Sequence, residues 1–138
     1  MSHLSFYRKV RAWGFSLCAL GSLAACNSYH TDFEQNVRVA LLEADHPVRG
    51  VTFGLFNAAK CEGESAVGMT DEAGVAKIRR TARRGKYAVL LEEIALCEKV
   101  GATWRLLWSE TLDPPDQLVL KCEGISGRRS CRDSRDVR

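Results

Sequence analysis

Val48-Arg49-Gly50-Val51-Thr52-Phe53-Gly54-Leu55-Phe56, followed by Gly68-Met69-Thr70-Asp71-Glu72-Ala73-Gly74-Val75-Ala76, is the stretch on which the fold of this chain turns. In its first part Val51, Phe53 and Leu55 alternate with Thr52 and Gly54, the period of a strand with one apolar face. In its second part, two short runs, Ala66–Thr70 and Val75–Arg79, flank Asp71-Glu72-Ala73-Gly74. An aspartate starts a turn through its side chain and a glycine accepts positive φ, so the segment predicts a hairpin.

The same alternation extends outward in both directions. Val37, Val39 and Leu41 precede the stretch, with Pro47 and Gly50 punctuating the interval. Arg84-Gly85 leads into Tyr87, Val89 and Leu91, and Trp104/Leu106/Trp108 and Leu118/Leu120 lie on either side of Asp113-Pro114-Pro115-Asp116. About seven short strands with turn signals between them predict an all-β chain folded as an antiparallel β-sandwich. One segment breaks the period: Leu90, Ile94, Cys97 and Gly101 recur at helical spacing, which allows a short helix over Leu90–Val100.

Together with Arg84-Gly85-Lys86-Tyr87-Ala88-Val89, the opening stretch resembles the transthyretin or prealbumin-like sandwich modules. Among these, the carboxypeptidase regulatory-like and collagen-adhesin B-type repeats carry a Thr-Asp-x-x-Gly hairpin and a Gly-x-Tyr strand start. The resemblance covers about a third of the chain, and its motifs are turn chemistry, which implies a fold and not a reaction. Ala76 stands where those repeats carry an aromatic residue, and Ile78 is expected to fill the core instead.

The first 25 residues have the layout of an export signal: basic Arg8, Lys9 and Arg11, then a mostly apolar run from Ala12 to Ala25. That run is shorter than the roughly 20 apolar residues a membrane span requires. Its ending, Leu23-Ala24-Ala25-Cys26, resembles the lipobox of bacterial lipoproteins. The resemblance implies cleavage before Cys26, lipid on its thiol and a membrane anchor. Asn27 in the next position implies the outer membrane, on its periplasmic face. Residues 26–35 are then a polar tether, 36–122 the sandwich and 123–138 a basic tail.

With Cys18 lost and Cys26 lipidated, four cysteines remain: Cys61, Cys97, Cys122 and Cys131. In an oxidising compartment an even set predicts two disulfides, with three connectivities open. Cys61–Cys97 and Cys122–Cys131 are favoured, since the first ties two loops of the body and the second staples the tail. No Cys-x-x-Cys pair occurs, and His30 and His46 lie far from the cysteines in sequence, so no metal site is expected.

Removing Arg8, Lys9 and Arg11 from the 20 Lys and Arg leaves 17, against 17 Asp and Glu. A formally neutral body lacks the cationic surplus a nucleic-acid binder uses to neutralise phosphates. Catalytic signatures are missing too: there is no nucleophile elbow and no Gly-rich phosphate loop, and Asp71 is explained by its turn. No cofactor is implied.

Two groups remain as binding candidates: Trp104, Arg105 and Trp108, residue types enriched at interface hot spots, and the tail arginines Arg128, Arg129 and Arg132. Strict alternation puts Trp104 and Trp108 on one face, where a single core can absorb both. The expected function is a non-enzymatic envelope lipoprotein that binds one envelope or effector protein, such as an immunity protein against a periplasm-delivered toxin. The alternative is a structural lipoprotein of a secretion or envelope assembly, like that of type VI secretion.

Overall fold

A computed structural model describes residues 30–85, 89–125 and 127–136. Nine strands follow one another: β1 (His30–Glu43), β2 (His46–Pro47), β3 (Thr52–Phe56), β4 (Ser65–Met69), β5 (Val75–Gly85), β6 (Glu92–Val100), β7 (Thr103–Leu112), β8 (Gln117–Ile125) and β9 (Arg128–Asp133). A single 3₁₀ turn, Ser134–Asp136, comes after β9. The strands form two sheets. The first runs β2-β1-β8-β9, with β5 also paired to β1, and the second runs β4-β3-β6-β7.

The core lies between these sheets, and alternation puts it there. Val37, Val39 and Leu41 from β1, Ile78 from β5, and Leu118 and Leu120 from β8 meet Phe53, Leu55, Ile94 and Leu96 of the second sheet. Each of these side chains is at most 2% exposed, and burying one stabilises the fold by roughly 1.5–3 kcal/mol. Ile78 fills the core as expected, and Ala76 beside it is also buried.

Several details depart from the sequence expectation. The sandwich is not wholly antiparallel, because β1 pairs in parallel with β8, Val37 beside Leu118 and Val39 beside Leu120. An inward phase is the same for either strand direction, so alternation could not distinguish the two. The Asp71–Gly74 turn forms by the anticipated chemistry: Asp71 Oδ1 accepts hydrogen bonds from the Ala73 and Val75 amides at 2.9 and 3.0 Å. Its flanking strands do not pair with each other, however. β4 pairs with β3 and β5 with β1, so the turn carries the chain from one sheet to the other.

At this crossing Gly74 has φ +75°, and a Cβ there would lie 2.6 Å from the Leu41 carbonyl oxygen. The Gly74 carbonyl in turn accepts the Leu41 amide at 2.7 Å, so the crossing cannot move away. Gly74→Ala is expected to destabilise the domain by about 2 kcal/mol, from left-handed strain and the clash together, as read from the urea midpoint. An unchanged midpoint would show that the crossing relaxes freely.

β1 begins at His30, six positions before the anticipated start at Asn36, and pairs with β5 over its whole first half. Gln35 occupies the inward phase of Val37 and is fully buried, but as a polar residue it hid the strand's true start. The segment allowed to be helical is strand β6. Ile94, Ala95, Leu96, Cys97 and Glu98 are all buried, and a strand covered on both faces loses the alternation that would mark it. Val89 and Leu91 belong to no strand and are 74% and 57% exposed, and Tyr87 lies outside the described residues. The anticipated tail folds instead into the β8–β9 hairpin, with Cys122 opposite Cys131.

Candidate functional site

The second sheet is apolar on its outer face as well as on the face turned to the core. Register places Val67 of β4 beside Gly54 of β3, Gly54 beside Cys97 of β6, and Cys97 beside Leu106 of β7. This row crosses all four strands. Phe56 and Ala95 form the next row, and both are buried.

Trp104 covers the middle of this face. Its ring meets Phe56 edge-on, centroids 5.3 Å apart at 80°, and packs on the cluster of Phe56, Ala95, Cys97 and Cys61. Lys99 Nζ lies 5.8 Å from the Trp104 ring, within the range of a cation–π contact. Gly54 is what permits this approach, since a Cβ there would lie 2.9 Å from Trp104 Cη2 and 3.1 Å from Phe56 Cε2. Around the covered centre Val67, Met69 and Leu106 stay 54%, 62% and 48% exposed. A fixed aromatic centre with exposed aliphatic side chains around it is a surface suited to protein contact.

Trp104 and Trp108 do not share a face. Leu96 pairs with Trp108 but Cys97 pairs with Leu106, leaving Leu107 as an extra residue in β7. This bulge reverses the alternation. Trp108 and Leu107 therefore pack on the main core, and Trp104 on the outer cluster.

The candidate arginines separate in the same way. Arg105 Nη2 donates to Glu98 Oε2 at 2.8 Å, and Arg129 also pairs with Glu98. Arg129 reaches Glu43 as well, at 3.7 Å, so a carboxylate that is 4% exposed joins the two sheets through β7, β9 and β1. Arg105 and Arg129 are thus engaged internally. The helical reading of Leu90–Val100 turned Glu98 toward water; its position two residues after Leu96 marks it as inward once β6 is known to be a strand. Arg128 is exposed at the start of β9, and Arg132 lies 3.8 Å from Glu123 on the outer face of the first sheet.

Asp133, at the end of β9, is 2% exposed. Burial pushes its carboxyl up, but hydrogen bonds from the Arg135 side chain and amide, with the guanidinium charge, hold it below its ordinary value. Both disulfides are closed, Cys61–Cys97 and Cys122–Cys131, the connectivity favoured from the sequence. Cys26 lies outside the described residues. His46 is exposed in β2 and His30 half-buried at the start of β1. Among the described residues no cluster of His, Cys, Asp and Glu is placed to hold a metal ion.

Fold and face together define a two-sheet all-β domain with two disulfides and one apolar outer face. No protein-family model matches the chain, and no curated protein does. Among solved structures, a disulfide-locked mutant of intermedilysin with human CD59 aligns at TM-score 0.32 and 15% identity, over 73% of this chain and 24% of that one. The human-specific toxin intermedilysin aligns at TM-score 0.33 and 14% identity, over 73% and 23%. The chain spans about a quarter of those proteins, and likeness at this level carries no argument about kinship or activity.

Proposed function

We propose that this chain is an envelope lipoprotein, held by lipid on Cys26 to the periplasmic face of the outer membrane, whose sandwich binds one protein partner without catalysis. The transthyretin-like module remains our reading of the fold family, supported by the two packed sheets and by the Asp71 turn chemistry, although that turn joins the sheets and not a hairpin. The observation that carries the binding role is the outer face of the second sheet. There Val67, Met69 and Leu106 stay exposed around Trp104, although the sheet's other side already closes the core. A toxin delivered into the periplasm is the partner class we favour, which makes the chain an immunity protein. The second reading is a structural lipoprotein of a secretion or envelope assembly, for which the same outer face would be the assembly contact.

The test is site-specific crosslinking of the full chain in the envelope. A photo-reactive residue at Leu106 should trap one protein, and Met69→Glu should reduce the yield about a hundredfold, the effect of a desolvated hot spot. The urea midpoint should stay unchanged, because Met69 is exposed. Identifying the trapped protein as a toxin encoded beside this chain favours immunity, and a secretion component favours assembly. No trapped protein, or trapping indifferent to Met69→Glu, overturns the binding face.

A further inference from the structure

The outer face of the first sheet has the opposite character. Opposite in phase to the core residues are Lys77 and Arg79 on β5, Asn36 and Arg38 on β1, Gln117, Val119 and Lys121 on β8, and Arg132 on β9. Register sets Arg38 directly across from Lys77, and Lys121 directly across from Arg132. Like charges facing one another across a ladder oppose sheet formation. This sheet holds two such pairs, set two residues apart along β1 and β8.

Carboxylates relieve them little. Three carboxylates share the face, with Glu34 3.5 Å from Arg79, Asp32 3.7 Å from Arg83 and Glu123 3.8 Å from Arg132, all among well-exposed side chains. Arg38, Lys77 and Lys121 are exposed and have no ion pair among the described residues. Arg38, Lys77, Arg79, Asn36, Gln117 and Val119 line a shallow hollow of about 410 Å³ with no acidic residue in its wall. Cations set among amide groups form a cradle for phosphate oxygens.

We propose that this face rests on an anionic membrane surface, with the hollow seating lipid phosphate groups. Cations spread over four adjacent strands of a broad face match a planar array of phosphates better than one enclosed ligand. The geometry of attachment agrees, and this clause rests on the lipid reading of Cys26: His30 comes four positions after Cys26, a span of at most about 14 Å at full extension. The strand that carries Arg38 therefore starts within headgroup distance. The face bearing Trp104 and Met69 is the other side of the sandwich and points away from the bilayer, toward a partner.

The full processed protein would be mixed with phosphatidylcholine vesicles, with or without phosphatidylglycerol, and tested by flotation and by amine labelling of Lys77, Lys121 and Lys99. On anionic vesicles labelling of Lys77 and Lys121 should fall about tenfold, while Lys99 on the opposite sheet labels as before. High salt and Arg38→Glu should each restore labelling, since exposed charges are screened over about 10 Å. Flotation with neutral vesicles tests the Cys26 anchor separately. Flotation with both vesicle types, but equal labelling of Lys77 on each, overturns the proposed face and leaves the anchor standing. Flotation with anionic vesicles alone, with Lys77 protected, upholds the face and removes the anchor. Equal protection by inorganic phosphate without vesicles overturns the membrane as the source.

Discussion

Replacing Arg80 by methionine should lower the unfolding free energy by about 3 kcal/mol, near the low end for removing one partner of a buried ion pair. Arg80 follows Ala76 and Ile78 in the inward phase of β5 and is 5% exposed. Its Nη1 donates to Gln35 Oε1 at 2.6 Å, and Gln35 Nε2 donates onward to the Pro115 carbonyl at 2.8 Å. Its Nη2 pairs with Glu92 Oε2 at 3.0 Å and also donates to Asn57 Oδ1. One guanidinium therefore joins β1, β5, β6 and the segments after β3 and β7.

Methionine would leave the Glu92 carboxylate, whose side chain is 16% exposed, without its cation, and Gln35 Oε1 without its donor. The residual access of Glu92 to water is why the low end applies. Exchanging the group together, Arg80→Met with Gln35→Leu and Glu92→Leu, should recover part of the loss, because the Glu92 carboxylate and the Gln35 amide go with the cation and only the Pro115 carbonyl and the exposed Asn57 lose a donor. Urea unfolding of both variants checks this. A neutral Arg80→Met would mean that water reaches the network and that it does not hold the sandwich end together.

The second large effect is expected at Cys61–Cys97. These residues are 36 apart in sequence, and closing a loop of that length removes unfolded-state entropy worth about 4 kcal/mol. Cys122–Cys131 spans 9 residues, already opposite one another in a hairpin, and the same relation gives under about 3 kcal/mol. Replacing both cysteines of the first pair by alanine should therefore lower the midpoint further than the same change in the second. The first loss has a local sign as well. Cys97 is fully buried beneath Trp104, so the indole should gain solvent and its emission should move to longer wavelength. Equal midpoints for the two double variants would contradict the loop-length ordering.

What the sequence disclosed follows from which physics is local. Turn chemistry is local, so Asp71 and Gly74 announced their turn, but a turn does not say whether its strands pair with each other or pass between sheets. Cysteine pairing was accessible once Cys61, Cys97, Cys122 and Cys131 were taken as the set to be matched, since four cysteines allow only three connectivities. Trp104 was singled out by residue type, yet its face was missed, because one extra residue at Leu107 reverses every side chain beyond it. Gln35, Arg80 and Glu98 were not read as buried, for a common reason. Each is a polar residue in an apolar phase, satisfied by partners far away in the chain.

The position of β1 also sets a clock. Its two long neighbours, β5 and β8, arrive about 40 and 80 residues after it, so a chain emerging amino end first exposes β1 before either partner exists. Such non-local pairing makes folding slow. Until Gln117–Ile125 has emerged, one edge of the central strand stays open and Val37, Val39 and Leu41 lack their cover on that side. The domain thus matures only once β8 is free, and any pause in synthesis before that point leaves an adhesive strand waiting.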